Sequence, residues 1–249
     1  MNANITAATR SELAPRGRLR AGLNHSNFLL VSKNSAPGNP RGVAVDMARE
    51  LGRRLGVEVE FVSYDSPGKL ADAAMGDAWD VAFLGAEPSR ANEIDFTAAY
   101  VEIESTYLVP AGSPLHSIAE VDSKGVRISV SGRSAYDLYL TRTIRNAQLV
   151  RADGIDASFE RFLADRLEAL AGLRPRLELD VKKLPGARVL EGRFTAIQQA
   201  IGTPRGRPAG ARYLREFVED VKASEFVARA IEHHRAHGLS VAPMTQACG

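Results

Sequence analysis

The feature that most limits the fold is a regular alternation of strand and helix patterns in the first third of the chain. The strands show apolar residues at every second position or in one continuous run, whereas the helices show them every three to four positions. In chain order the patterns are a strand at 19–24, a helix at 43–55, a strand at 57–61, a helix at 69–75 and a strand at 79–84. This order predicts a mostly parallel sheet with helices on its faces, and hence an α/β fold.

The same kind of alternation returns after a β-rich run at 102–109. The predicted elements are, in chain order, a strand at 126–130, a helix at 135–145, a strand at 149–150, a helix at 158–164, a strand at 167–170, a strand at 193–201, and helices at 209–221 and 224–237. No internal repeat and no low-complexity segment interrupts this order. The second part of the chain is therefore predicted to be α/β as well.

The two α/β segments predict two lobes that the chain crosses twice, near 107–110 and near 198–202. We expect a first lobe of residues 1–107 and 199–249 and a second lobe of residues 108–198. Each lobe is expected to hold a mostly parallel sheet flanked by helices. Two lobes joined in this way form a cleft that can close on a ligand by hinge motion.

The charge balance and the short apolar segments exclude several classes of protein. Lys and Arg number 32 and Asp and Glu number 30, so the formal net charge of +2 argues against nucleic-acid binding through bulk positive charge. Hydrophobic residues make up 45% of the chain, which excludes a disordered protein. No apolar run reaches the length of about 18 residues that suggests a transmembrane helix, so no membrane insertion is predicted. The single cysteine, Cys248, excludes an intrachain disulfide.

No sequence motif predicts a cofactor, a metal or a catalytic group. The glycine-rich, basic segment 202–208 lacks the G-K-[ST] ending of a phosphate-binding loop and is predicted to be an ordinary loop. His233 and His237 lie four positions apart, but without the H-E-x-x-H order a solvated helix end is the preferred interpretation. Glu102 and Glu104 point to one face of a strand, where they form either a catalytic pair or, as we prefer, a polar strand face.

The N-terminal segment does not resemble a secretory signal. Residues 1–20 contain no apolar core of the kind that a signal peptide needs. Two alternatives therefore remain open: the protein works in the cytoplasm, or its leader is not part of this chain.

Four segments of the chain carry a resemblance to a known family. They read LRAGLN at 19–24, GVAVDMARELGRRLGVEVEF at 42–61, DVAFLGAEPSRANEIDFTAAY at 80–100 and GVRISVSGRSAYDLYL at 125–140. In this order they resemble the type 2 periplasmic solute-binding proteins of family 3, which serve polar amino-acid ABC transporters. The resemblance runs from about Leu19 to His237. It implies the two-lobed periplasmic-binding-protein type 2 fold, a periplasmic location, and a monomer that delivers its ligand to an ABC permease.

The resemblance assigns two contacts to the carboxylate of the ligand. Arg90 matches the family position that clamps the α-carboxylate, and a planar guanidinium suits a bidentate grip; the alternative is a surface ion pair with Glu93 or Asp95. Ser134 matches a hydroxyl residue at a helix start, where backbone N–H groups attract an anion. Arg133 stands where the family usually has glycine, so it either adds a cation to the cleft or perturbs the turn.

Two departures from the family pattern bear on the ligand. The loop from Gly85 to Arg90 is shorter than usual and contains Glu87, which either accepts the amine of the ligand or pairs with Arg90. Leu173 stands where the family has a carboxylate for the α-amino group. This change favours a small polar anion that lacks an amine, with Arg174 as a possible second cation.

Further candidate ligand contacts follow from their position at predicted strand ends. They are Asn24, Asn27 and Phe28 after the first strand, Tyr64 after the second, Gly85 after the third, Tyr136 in the helix that Ser134 begins, and Gln198 at the second crossing. Amides can donate and accept hydrogen bonds, and aromatic rings can pack against a ligand. A plain turn role for Asn24 and a core role for the two tyrosines remain open.

Together these observations predict a solute-binding protein of an ABC-type importer. It is expected to close on a small polar ligand that carries a carboxylate, either an amino acid or a related organic anion, without catalysis, cofactor or metal. One alternative is an enzyme on the same fold, similar to the cyclohexadienyl dehydratases, which add a general acid in the cleft. Leu173 at the expected acidic position argues against it. The other alternative is a cytoplasmic ligand-sensing module.

Overall fold

Helices and strands alternate along most of the chain, as the sequence predicts for an α/β fold. The structure is a computed structural model that describes residues 5–32 and 39–245, and Cys248 lies outside them. Within these ranges, no helix combines the length and the apolar character that crossing a membrane requires.

The element order is as follows. It runs α1 (Ala7–Leu13), β1 (Arg18–Asn24), α2 (Val43–Leu55), β2 (Glu58–Tyr64), α3 (Pro67–Asp72), β3 (Val81–Gly85), β4 (Ile94–Val109), α4 (Ile118–Val121), β5 (Arg127–Ser131), α5 (Ala135–Thr143), β6 (Gln148–Ala152), α6 (Ile155–Ala164), β7 (Ala169–Leu173), α7 (Arg174–Asp180), β8 (Arg188–Val189), β9 (Thr195–Pro204), α8 (Pro208–Ala223), α9 (Phe226–His233) and β10 (Leu239–Val241). Short 3-10 helices lie at Ala73–Gly76, Pro88–Arg90 and Val181–Lys183.

Residue contacts divide the chain into two units. Unit 1 comprises Met1–Glu102 together with Gln198–Gly249, and unit 2 comprises Ile103–Ile197. The chain passes from unit 1 to unit 2 within β4 and returns within β9. The sequence prediction put both boundaries slightly later along the chain.

Unit 1 is built on a sheet with the strand order β2-β1-β3-β9. β1 pairs in parallel with β2 and β3, whereas β3 pairs antiparallel with β9. Asn24 lies opposite Tyr64, and Gly85 lies opposite Gln199. The carboxyl ends of β1, β2 and β3 therefore lie along one edge of this sheet, the edge at which α/β proteins commonly bind ligands.

The core of unit 1 lies between the sheet and its helices. α2 packs on β1 and β2, and α3 packs on β1 and β3. The predicted apolar stripe of α2 is buried, and the helix ends at Gly56, whose φ of 69° is the left-handed conformation of a C-terminal glycine cap. Trp79 is fully buried, and its indole N–H donates to the Leu70 carbonyl at 3.0 Å. This bond satisfies the one polar atom that the ring takes into the core.

An ion network ties the start of β1 to the residues around β3 and α8. The Asp80 side chain is fully buried and accepts from the Arg20 guanidinium at 2.8 Å and from Arg207 at 3.1 Å. Asp77 contacts Arg20 at 2.6 Å from a half-exposed position. These carboxylates raise the pKa of Arg20, chiefly through the hydrogen bonds that its guanidinium donates to Asp80. A buried guanidinium needs such partners, because taking an unpaired charge out of water is costly.

Unit 2 is built on a sheet with the strand order β4-β7-β5-β6. β5 pairs in parallel with β6 and β7, whereas β4 pairs antiparallel with β7 and β8. Ser105 on β4 lies opposite Leu173 at the end of β7. The carboxyl ends of β5 and β7, which carry Ser134 and Arg174 just beyond them, therefore face the same edge of this sheet.

Several elements differ from the sequence prediction. α1, α4, α7, β8 and β10 had no predicted counterpart, and β4 begins at Ile94 rather than at 102. The last helix ends at His233 instead of reaching His237, because Arg235 adopts a left-handed φ of 49°. Among the described residues no cluster of three or more histidines, cysteines or acids could hold a metal.

Candidate functional site

The topology of unit 1 brings several of the predicted contacts to one sheet edge. Asn24 and Tyr64 end the paired strands β1 and β2. Gly85 ends β3, and the next residue, Ala86, donates its N–H to the Gln198 carbonyl at 2.8 Å. Residues far apart in sequence therefore share the edge at which the strand order predicts a ligand.

Arg90 follows β3 on the short 3-10 helix Pro88–Arg90. Its side chain is buried, and Nη1 donates to the Gly85 carbonyl at 2.6 Å, which fixes the guanidinium beside the strand end. Asp95, one of its alternative partners, lies 3.5 Å from Arg205. A guanidinium that is buried, held in place and located at a strand end has the chemistry of a carboxylate clamp.

Glu87 precedes this short helix and is also buried, with 8% of its surface exposed. Its carbonyl accepts from the Arg90 backbone N–H at 2.9 Å, so the main chain holds the two residues together. Both predicted roles for its carboxylate, amine acceptor or internal partner, stay open.

The loop after β1 contains two amides in different environments. The Asn24 Oδ1 accepts from the Ser26 N–H at 3.1 Å and from the Ser26 hydroxyl at 2.7 Å, so this oxygen serves a turn. The Asn27 Oδ1 is buried and has no hydrogen-bond partner among the described residues. Buried polar atoms are normally satisfied, so a donor from a ligand or from water would complete this site. Phe28 beside it is half-buried.

Tyr64 and Gln198 complete the unit 1 set. Tyr64 is half-buried and packs against the core cluster around Trp79, and burial raises the pKa of its phenol. The Gln198 amide donates to Glu102 at 3.1 Å. Glu102 therefore has a partner in the returning strand, which is what a polar strand face would provide.

In unit 2, Ser134 is the N-cap of α5, as the sequence predicts. Its hydroxyl accepts from the Asp137 N–H at 3.1 Å. Arg133 has a φ of 60°, a left-handed conformation that is unusual outside glycine, and its N–H donates to the Asp137 carboxylate at 2.7 Å. The turn before α5 thus accommodates arginine in the conformation that a glycine would adopt more readily.

Tyr136 lies in the core of unit 2. It is 4% exposed, and burial raises the pKa of its hydroxyl to about 12, while hydrogen bonds with Ser134 and Ser131 oppose this shift. The hydroxyl thus connects the N-cap to the end of β5. Tyr136 thus has the core role that was one of the two alternatives from the sequence. Its direct contact with the ligand stays a prediction.

Arg174 begins α7 directly after the buried Leu173. Its Nε donates to the Glu104 carboxylate at 2.9 Å, and its Nη2 contacts the Gly192 carbonyl. Arg193 lies 3.3 Å from the other oxygen of Glu104. Glu104 therefore balances two guanidiniums. A ligand carboxylate that used Arg174 as a cation, as predicted, would have to compete with Glu104 for it.

The sequence missed the position of Glu104 relative to Arg174. Arg174 directly follows the end of β7, and Glu104 lies within the neighbouring strand β4, beside Ser105, which pairs with Leu173. The loss of a carboxylate at Leu173 is thus accompanied by a carboxylate on the adjacent strand. The antiparallel register of β4 and β7 carries this information, and no local motif could have indicated it.

Comparisons with known proteins point to one family. The model for the bacterial extracellular solute-binding proteins, family 3, matches residues 19–236. The glutamine-binding protein of Geobacillus stearothermophilus is 22% identical over 201 residues, which cover 79% of this chain and 76% of that protein.

Solved structures show the same fold. A mutant of ArgBP from T. maritima superposes with a TM-score of 0.75 at 20% identity, covering 92% of this chain and 100% of that one. The ancestral amino acid-binding protein AncCDT-1, described as a precursor of cyclohexadienyl dehydratase, gives a TM-score of 0.74 at 20% identity and covers 90% of this chain and 98% of that one. The predicted periplasmic-binding-protein type 2 fold is confirmed.

Proposed function

The chain belongs to the bacterial extracellular solute-binding proteins, family 3, and we propose that it binds a small polar α-amino acid whose carboxylate Arg90 clamps. It is a solute-binding protein, as the sequence predicts, and its family is one of non-catalytic binding proteins. The enzyme alternative is therefore set aside.

One observation carries the proposal: the buried, braced guanidinium of Arg90 at the carboxyl end of β3. Burial strengthens the attraction between a guanidinium and a carboxylate, because water screens the two charges less. The bond to Gly85 orients the planar group before a ligand arrives, which lowers the entropy that binding has to overcome. A carboxylate is the group that fits this arrangement best.

The sheet edge of unit 1 supplies the other polar contacts of the proposed site. The Asn27 Oδ1 is an acceptor without a partner in the described residues, so an N–H donor of the ligand would satisfy it. The buried Glu87 carboxylate is our candidate for the α-amino group, since Leu173 offers none. A glutamine-binding relative and the similar fold of an ancestral arginine-binding protein support an amino acid rather than an amine-free anion.

In unit 2 we propose a second carboxylate contact at Ser134. Its hydroxyl and the first N–H groups of α5 lie at the positive end of a helix dipole. Ligand-driven closing of the two lobes by hinge motion is part of the same proposal. An ABC permease in a bacterial membrane, reached from the periplasm, would receive the ligand.

A thermal-shift screen tests the proposed ligand class. The panel contains polar L-amino acids, their matching α-keto acids and simple dicarboxylates. At a concentration of one hundred times its Kd, a true ligand stabilises the folded protein by about 2.7 kcal/mol, a shift that is readily measured. We expect an amino acid to raise the melting temperature and its keto acid, which lacks the amine, to do so much less.

The same ligands are tested on the variant Glu87→Gln, which loses the proposed amine acceptor and keeps the side-chain shape. In this variant, the melting-temperature shifts caused by an amino acid and by its keto acid should differ less than in the wild type. If keto acids or dicarboxylates stabilise the wild type best, the amino-acid assignment is wrong and the prediction of an amine-free anion from Leu173 is favoured. If no carboxylate has an effect, the proposed function itself fails.

A further inference from the structure

A groove of about 630 Å³ lies on unit 2 and is lined in part by β6, the last strand of its sheet. Its lining residues, which define what we call the edge groove, are Arg127, Gln148, Leu149, Val150, Arg151, Arg161, Asp165 and Leu167. They come from β5, β6, α6 and the turn before β7. None of them belongs to the set assigned to the ligand, so the groove is a separate feature of the molecule.

Four successive lining residues of the edge groove, 148–151, belong to the edge strand β6. β6 ends the strand order of unit 2 and pairs with β5 on one side. The Gln148 N–H donates to Val126, toward β5. Because backbone groups of alternate residues point to opposite sides in a parallel pair, those of Leu149 and Arg151 point away from β5. The guanidinium of Arg161 donates to the Arg151 carbonyl at 3.1 Å, whereas no described strand pairs with β6 on the side to which the Leu149 groups and the Arg151 N–H point.

The walls of the edge groove are cationic. Each arginine is held on one side by a carboxylate, in the pairs Arg127–Glu168, Arg151–Asp137 and Arg161–Asp165, with N···O distances of 2.8, 2.9 and 3.0 Å. Their side chains are nevertheless 40%, 47% and 49% exposed. Of the three carboxylates only Asp165 lines the groove, so its lining has three cations and one anion.

We propose that the edge groove docks an extended, acidic segment of a partner protein, which adds a strand to β6. Main-chain groups of the segment pair with the Leu149 N–H and carbonyl and with the Arg151 N–H, as in other cases of strand addition. Its carboxylates contact the exposed sides of the arginines, which are already oriented and lose little freedom on binding. Leu149, Val150 and Leu167 provide the apolar surface between these charges.

The test is a titration of the full chain, followed by the NMR shifts of its backbone amides. The probe is a short, N-acetylated and C-amidated peptide of alternating glutamate and valine, and the matched control is the lysine–valine peptide of equal length. We expect saturable shifts at the Leu149 and Arg151 amides with the acidic peptide and none with the lysine peptide. The affinity should fall as salt is added, because the contacts are between exposed charges.

Three variants separate charge from strand addition. Arg161→Gln should weaken the acidic peptide about fivefold, the effect of one well-placed ion pair. Leu149→Pro removes an outward N–H and leaves the hydrogen bonds to β5, so it should weaken binding independently of charge. Arg145→Gln removes an exposed charge of the same unit outside the groove and should leave the affinity unchanged.

Circular dichroism checks that each variant is folded. If Leu149→Pro does not fold, the affinity of Arg161→Gln and the salt dependence of the wild type test the proposal without it. Equal binding of the acidic and lysine peptides would overturn the proposal. So would an acidic peptide that causes no saturable shift. Vesicles of phosphatidylglycerol and phosphatidylcholine serve as a further arm: groove shifts with these vesicles but not with the peptide would identify a membrane surface instead of a protein segment.

Discussion

Replacement of Asp80 by asparagine tests whether the buried ion network stabilises unit 1. The Asp80 side chain is fully buried and lies 2.8 Å from Arg20 and 3.1 Å from Arg207. Asparagine keeps the size and one acceptor oxygen but removes the charge that balances both guanidiniums. Breaking a buried pair from one side typically costs about 3–5 kcal/mol, because the other charge stays out of water. We expect Asp80→Asn to lower the free energy of unfolding by about this amount.

Urea unfolding followed by the fluorescence of Trp79 measures the effect, because this single tryptophan lies in the core of unit 1. Asp77→Asn is the matched control. Its side chain belongs to the same network and contacts Arg20 at 2.6 Å, but it is 56% exposed, so its replacement should lower the free energy of unfolding far less than Asp80→Asn does. Equal losses for the two variants, or a loss below about 1 kcal/mol for Asp80→Asn, would refute the reasoning that burial sets the cost.

Three further changes act on single contacts. Arg133→Gly should raise the stability of unit 2 by about 1 kcal/mol in thermal melts, because glycine adopts a φ of 60° without strain; a lower melting temperature would contradict this. Ser134→Ala removes the N-cap of α5 and should cost about 1 kcal/mol in the same melts, whereas no change would mean that the cap is dispensable. Hydrogen bonds from Arg53 and, to a smaller extent, from Arg54 lower the pKa of Glu50 to about 2. The stability that the ionised Glu50 contributes is therefore present above the ordinary pKa of glutamate and is lost as pH falls from about 5 toward 2. Glu50→Gln should flatten this acid limb of the stability curve, and an unchanged limb would refute the assignment.

The elements that could be predicted from the sequence are those whose local pattern agrees with their burial. The apolar stripe of α2 recurs at helical spacing and Gly56 closes the helix, so local and tertiary preferences coincide. β1 and β3 are buried strands with clear apolar patterns. For such elements, the spacing of the apolar residues along the sequence is sufficient to predict the secondary structure.

The elements that were missed depend on contacts distant in sequence. β8 is a strand of two residues, Arg188 and Val189, that exists through its pairing with β4. α7 begins with Arg174 and Pro175 and lacks a clear apolar repeat, although it packs on β7. β4 starts at Ile94, where Asp95 and two alanines obscure the strand pattern. Tertiary packing decides these segments, and local propensity does not.

The candidate site shows the same division. Strand order predicts which loops meet at the sheet edges, so Asn24, Tyr64 and Gly85 could be named from the sequence. The electrostatic partners could not, because side-chain pairing between strands depends on register. Glu104 and Arg174 are 70 positions apart, yet their charged atoms lie 2.9 Å from each other. A second cation for the ligand was therefore predicted where the structure contains an ion pair.

Calorimetric titration tests most directly whether Arg90 clamps the carboxylate of an amino acid. The amino acid selected by the thermal-shift screen is titrated into the wild type, Arg90→Gln and Arg205→Gln, the last being an exposed arginine of the same unit paired with Asp95. Removing one partner of a buried charge pair costs about 2–5 kcal/mol, so Arg90→Gln should bind at least about 30-fold more weakly, while Arg205→Gln binds like the wild type. A folded Arg90→Gln protein with wild-type affinity would contradict the claim.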